Sequence, residues 1–185
     1  MLEINAVPFE LINVSLAEPK ANRDSSFMER SAFGEVPVLV HGSKTLCQSN
    51  HILLYLAETL KTMGGRTPDE QRKVREWLFW EANRIGFSVP NLRYYTKFFP
   101  GFSADNREFL LRRVVADMKT LSRNLQDREF LVGDTLTIAD LSCCGYLYWL
   151  DEAGVDISES QHVKDWLGRI SATHRWQPPY LLLTP

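Results

Sequence analysis

The sequence predicts two small domains of different architecture, a mixed α/β unit followed by an all-α unit. Three observations carry that expectation. Short apolar runs between turn residues fill the first third, helical periodicity without a strand-like run continues beyond Pro68, and Gly64-Gly65-Arg66-Thr67-Pro68 separates the two. The boundaries expected are 1–63 for the first domain, 64–68 for the linker and 69–185 for the all-helical second domain. A chain of 185 residues holds two such units and little more.

In the first domain, Phe9-Glu10-Leu11-Ile12-Asn13-Val14, Val36-Pro37-Val38-Leu39-Val40 and Lys44-Thr45-Leu46-Cys47 read as strands. The last two, divided by His41-Gly42-Ser43, predict an antiparallel hairpin, and a polar stretch around Asp24 to Ser31 is expected to be helical. Ile52, Tyr55, Leu56 and Leu60 recur at helical spacing and predict an amphipathic helix over Ser49 to Leu60. In the second domain, one helix is expected from about Asp69 to Phe98, kinked by its internal Gly86 and Pro90. Val114, Val115, Met118, Leu121 and Leu125 mark another. Thr137-Ile138-Ala139-Asp140 carries a capping box, in which Thr137 accepts from the Asp140 amide while the Asp140 carboxylate reaches back, with Leu136 and Leu141 as a staple. The helix it starts is apolar nearly all round through Leu147, so Cys143 and Cys144 are expected in the core.

Composition narrows the chemistry. A net charge of -2, 44% hydrophobic and 24% charged residues describe an ordinary soluble globular chain. No Lys/Arg block offers a footprint for nucleic acid, no apolar stretch is long enough to span a membrane, and Met1-Leu2-Glu3-Ile4-Asn5 lacks the features of a signal peptide. A cytoplasmic location is expected. Cys47, Cys143 and Cys144 show no Cys-x-x-Cys spacing, and His41, His51, His162 and His174 are scattered, so no metal site is expected.

Two short motifs have chemical meaning. Val36-Pro37 at a strand start is an edge position or a cis bond that leaves neighbouring backbone groups free for a peptide, although a simple turn is the commoner reading. Gln48-Ser49 opens the helix, where unpaired amides and the helix dipole suit a carboxylate or phosphate, although Ser is an ordinary N-cap everywhere. Neither is specific alone.

Together, Val36-Pro37, the hairpin, Gln48-Ser49 before Ile52-Leu53-Leu54-Tyr55-Leu56-Ala57, and Leu131-Val132-Gly133-Asp134 before Thr137-Ile138-Ala139-Asp140 resemble the glutathione S-transferase family over nearly the whole chain. The resemblance implies a thioredoxin-like N-terminal domain that binds glutathione and an all-helical C-terminal domain that supplies the electrophile pocket. It implies that Val36 pairs its backbone with the cysteinyl part of glutathione, that Pro37 is a cis-proline, and that Gln48 and Ser49 hold the γ-glutamyl carboxylate. Glutathione is then a substrate, its thiol is transferred to a small hydrophobic electrophile, and the protein is a homodimer. A non-catalytic glutathione-binding or protein-interaction module of the same fold is the alternative.

The sequence departs from the family at its start. Only Met1 to Val7 and Pro8 precede Phe9, so the family's first strand, and the following turn with its activating Ser, Tyr or Cys, are expected to be missing. The thioredoxin-like domain is therefore expected to be incomplete. An N-terminally truncated transferase is the preferred explanation, ahead of a strand borrowed from a partner or a degenerate binding module, and the catalytic residue is unassigned. Cys47 is the substitute next in line, but a small buried hydrophobe is the plainer reading. Phe87, Tyr94, Tyr95, Phe98, Phe99 and Phe102 form an aromatic cluster near Pro90, with Tyr94, Tyr95 and Phe98 as the candidate electrophile pocket; core or dimer packing is the competing role, as it is for Trp77 and Trp80.

Overall fold

Residues 38–47 form the expected hairpin: β1 (Val38–His41) and β2 (Lys44–Cys47) pair antiparallel, with Val38 opposite Cys47 and His41 opposite Lys44. Gly42 at the first turn position has φ +59, the left-handed conformation that glycine adopts without a Cβ penalty. The computed structural model describes residues 1–15, 22–99, 101 and 103–182, and among them β1 and β2 are the whole sheet. The strand expected over Phe9 to Val14 is not formed. That run is irregular, with Phe9, Leu11 and Ile12 at 44%, 46% and 66% exposure. Its composition suits a strand, but no neighbouring strand meets it, and a strand without a ladder leaves its backbone to water.

Between them, α1 (Ser25–Arg30) is capped by Asp24, whose carboxylate accepts from the Phe27 amide at 3.0 Å, and Phe27 is buried. Helix α2 (Ser49–Leu60) covers one face of the hairpin, where Leu46, Ile52 and Leu56 form a small core joined by Leu2, Leu39 and Tyr55.

The long helix expected over Asp69 to Phe98 is two helices, α3 (Pro68–Asn83) and α4 (Ile85–Lys97). Thr67 caps α3 and Pro68 takes its first turn, where a proline loses no hydrogen bond. The interruption falls at Arg84 (φ -115, ψ -87), not at Pro90, which lies inside α4. Tertiary contacts decide this. The Arg84 guanidinium reaches the buried Asp117 at 2.7 Å, Arg113 donates to the Asn83 carbonyl, and the chain at Gly86 passes against Glu81, where a Cβ would sit 2.7 Å from the carboxylate oxygen.

The second core lies among α3, α4, α5 (Ala104–Leu125), α6 (Ile138–Cys144) and α7 (Gln161–Ser171), with Ile85, Val114, Leu121, Ile138, Trp166 and Ile170 fully buried. Helix α6 stops at Cys144, short of Leu147, and a 3-10 turn over Leu147–Trp149 follows, in which the Trp149 amide donates to Tyr146. A short C-terminal helix, α8, spans Pro179–Leu182. Cys143 and Cys144 are buried; burial pushes both thiols up, that of Cys144 to about 12, which keeps them protonated and inert.

The capping box at α6 is present, and it is larger than a local motif. Asp140 is fully buried and accepts four hydrogen bonds: from the Thr137 amide and hydroxyl at 2.8 and 2.9 Å, from the Leu131 amide at 2.8 Å and from Trp166 Nε1 at 2.9 Å. Burial pushes the carboxyl above the usual range while these donors oppose it. Among the described residues no helix is long and apolar enough to cross a membrane. Asp140→Ala is expected to cost at least about 3 kcal/mol in denaturant unfolding, because each buried donor left unpaired costs about 1–3 kcal/mol.

Candidate functional site

The antiparallel register places the start of β1 beside the end of β2, so Val36-Pro37 and Gln48-Ser49 meet at one end of the hairpin. The Val36–Pro37 peptide bond is cis, and Val36 lies just before the ladder begins. All four residues are exposed, and Gln48 Nε2 stands 3.4 Å from a Glu35 carboxylate oxygen. Gln48 itself is the helix cap, at φ 69, and its carbonyl accepts from Ile52 at 2.9 Å. Ser49 is thus the first residue of α2 and not its cap. No side chain caps α2, so its first amides face the exposed end of the hairpin together with the Ser49 hydroxyl. Chemically, helix-start amides without a side-chain cap beside a strand entry are suited to receive a carboxylate and an extended peptide backbone.

One residue further on, Asn50 is held from three sides. Its Nδ2 donates to the Leu78 carbonyl at 2.8 Å and to Glu81 Oε2 at 2.9 Å, and its Oδ1 accepts from the Ser142 hydroxyl at 2.6 Å. Sequence reasoning missed this group. Its members stand 31 and 92 residues from Asn50, and no spacing signals such a meeting. Glu81, near the C-terminal end of α3, reads as a surface residue until the packing is known.

Cys47 places its Sγ against the Arg30 carbonyl at 3.7 Å, on α1 and not at the α2 start. Thr137 and Asp140 lie in the helical core and serve the fold. Among the described residues no group of three His, Cys, Asp or Glu side chains is placed to hold a metal ion.

Tyr94, Tyr95, Phe98 and Phe99 do cluster, at the C-terminal end of α4. Tyr94 contacts Tyr95, Phe98 and Phe99 at ring centroid distances of 5.3, 6.2 and 6.4 Å. The cluster is open to solvent, Tyr94 and Phe98 being 51% and 56% exposed. Phe87 stands apart, under the Arg113 guanidinium, and Phe102 lies outside the described residues. Helix α4, which carries the cluster, packs on α3 and α5, and α2 packs on α6.

Beside the cluster, Glu152 is a charged anchor. It accepts from Arg93 Nε, Lys97 Nζ and the Tyr180 hydroxyl, each at 2.5 Å, and the Arg93 guanidinium lies 4.6 Å from the Trp149 ring. The Lys97 and Tyr180 hydrogen bonds, then Arg93, hold the Glu152 carboxyl down to about 2. A depressed carboxyl stabilises the folded state fully above its unfolded value near 4.5, and that contribution disappears as pH falls through the folded value. The stability gap between wild type and Glu152→Gln, followed by thermal unfolding across pH, is therefore expected to be constant above about pH 5 and to close toward pH 2.

Comparison with known proteins places these features in a family. The family model for the glutathione S-transferase N-terminal domain matches residues 1–58, and that for the C-terminal domain matches 98–173. Glutathione S-transferase GST-4.5 of Xanthomonas campestris is 30% identical over 172 residues, covering 85% of this chain and 78% of that protein. Glutathione S-transferase F10 of Arabidopsis thaliana is 28% identical over 183 residues, covering 92% and 84%. The crystal structure of a glutathione S-transferase from Xanthobacter autotrophicus superposes with a TM-score of 0.86 at 27% identity, covering 99% of this chain and 91% of that one. With both domain models in order along it, and relatives that align across the hairpin and the helical bundle alike, the chain belongs to the glutathione S-transferase family.

Proposed function

We propose that the exposed end of the hairpin is a glutathione site and that the protein transfers the glutathione thiol to a small hydrophobic electrophile. The observation that carries this is the meeting, at one end of the hairpin, of an α2 start without a side-chain cap and the strand entry at Val36. The γ-glutamyl carboxylate is received by the first amides of α2 with Ser49 and Gln48, and the cysteinyl backbone pairs with Val36 in the manner of an added strand. In the transfer, the thiol loses its proton, the sulfur lone pair forms a bond to an electrophilic carbon, and any leaving group departs with its electron pair. Tyr94, Tyr95 and Phe98 offer the electrophile an apolar face with phenolic hydroxyls. We place the reaction in the cytoplasm, in detoxification.

A second reading keeps the site without the chemistry, as a glutathione-binding module. It is favoured by the position of Cys47, whose sulfur is engaged with Arg30 and so is not offered as a thiol-activating group at the hairpin end.

We also propose that two copies pair through α3 and α5. A groove of about 740 Å³ runs between them, lined by Lys73, Trp77, Trp80, Thr120, Asn124 and Arg128. Its two indole rings meet edge to face at 5.0 Å, and such partly exposed aromatics flanked by arginine suit the centre of an interface.

Glutathione at 100 times its dissociation constant should stabilise the chain by about 2.7 kcal/mol, read as a rise in Tm, and Ser49→Ala should remove most of that rise. Turnover of a nitroaryl halide with glutathione separates the two readings: a shift with turnover supports the transferase, and a shift without it supports the module. No shift in a cooperatively folding protein would overturn both. Thr120→Arg, which puts a long cation into the groove from an exposed position, is expected to convert a dimer to a monomer in light scattering without lowering the monomer's helical content.

A further inference from the structure

We propose that the electrophile taken by the aromatic cluster is a flat aromatic that carries a carboxylate, with Lys97 and Arg93 as the specificity-determining residues that receive its acid group. The inference rests on the reading of Tyr94, Tyr95 and Phe98 as the electrophile pocket, and adds a charge to the apolar body expected there.

Helical spacing sets the two kinds of group side by side. Arg93 and Lys97 stand one turn apart on α4 and share a face, while Tyr94 and Phe98, each one residue further on, form the neighbouring row. The two rows meet at Phe98, where the Arg93 guanidinium and the Lys97 ammonium each lie 5.5 Å from the ring centroid. That ring is 56% exposed. A planar molecule laid on its open side comes close to both cations. Arg93 is fixed further by the Trp149 ring at 4.6 Å and by the Tyr180 hydroxyl, which accepts from Nη2 at 2.8 Å.

Charge does not balance within this group. Two cations face one carboxylate, that of Glu152, which the Lys97 and Tyr180 hydrogen bonds and then Arg93 keep ionised, so it cancels only one of them. A positive charge is left beside an apolar surface. The Lys97 ammonium has three hydrogens, of which Glu152 Oε1 takes one at 2.5 Å and the Tyr180 hydroxyl another at 3.2 Å, and the side chain is 40% exposed. The third is available to an anion. A cation held in this way next to an open ring favours an aromatic acid over a neutral arene, because a charge-assisted hydrogen bond is roughly twice as strong as a neutral one. A lysine in the last turn of a helix also complements the helix dipole, but that role requires neither the exposed ring nor a second cation on it.

The test compares dinitrobenzoate with dinitrobenzamide, a neutral molecule of the same shape, both without a leaving group. Affinities are measured by calorimetry at low salt on wild type, Lys97→Met, Lys97→Arg, Arg93→Gln and Ser49→Ala, with Tm recorded without ligand. Wild type is expected to bind the benzoate about tenfold tighter than the benzamide, and Lys97→Met should reduce that ratio to within about threefold while leaving benzamide affinity unchanged. Arg93→Gln should reduce the ratio in the same direction, and Lys97→Arg should keep most of it. A Lys97 that only supports the fold would lower Tm on substitution and leave the ratio unchanged, and that pattern overturns the proposal. A wild-type protein that binds both probes equally overturns it as well, and this comparison does not depend on the folding of any variant. A preference lost in Ser49→Ala but kept in Lys97→Met puts the acid at the start of α2 and also overturns it. Binding of neither probe overturns the pocket reading itself, which is a different result from binding without preference.

Discussion

The carboxylate of Asp140 ties three parts of the helical domain to one point. Its two oxygens collect the entry to α6 at Thr137, the loop at Leu131 and the indole of Trp166 on α7. Hydrophobic burial brings α3, α5, α6 and α7 together without specifying their mutual rotation. Four directional bonds to one buried acid do specify it, since any other arrangement leaves amides and an indole N–H unpaired in a dry interior. The same rotation sets where Ser142 lies on α6 and where α3 presents Leu78 and Glu81, the groups that receive Asn50.

That dependence runs one way. The helical domain has a core of its own, with Val74, Ile85, Val89, Leu92 and many others almost or fully buried. The hairpin and α2 bury only Leu46, Ile52 and Leu56 in theirs. A two-stranded sheet is marginal by itself, so the N-terminal domain is held in shape partly by what it leans on. Met1, which packs against both cores, and Arg175, which reaches the Glu3 carbonyl at 2.9 Å, are further points of support. The hairpin end thus stands on the smaller of the two cores.

Charge is used differently at the two ends of α4. At its start, Arg84 meets the fully buried Asp117, whose carboxyl burial pushes up against the pull of the Arg84 guanidinium. Toward its C-terminus, Glu152 gathers Arg93, Lys97 and the Tyr180 hydroxyl, drawing the C-terminal segment onto the same helix that carries the aromatic cluster. The aromatic rings beside it stay half exposed, which leaves apolar surface near a rigid, charge-locked support.

What could be read directly from the residues was what short range decides. The hairpin, the limits of α2 and the capping box depend on a turn glycine, an amphipathic period and a Thr-x-x-Asp spacing, all complete within a dozen residues. The family resemblance is made of the same local units in order. The errors lie where long-range contacts outvote local preference. Phe9 to Val14 has strand composition but no ladder partner, Pro90 is tolerated inside α4 while Arg84 breaks the chain through Asp117, and Ser49 yields the cap to Gln48. Asn50, Glu81 and Ser142 were silent in the sequence because a polar side chain shows its role only through its partners. By itself the sequence determined which segments are helices and hairpin and to which family they belong; the tertiary structure alone decided which buried carboxyls meet which donors, because a hydrogen bond requires two groups within about 3 Å and one-dimensional spacing does not encode that distance.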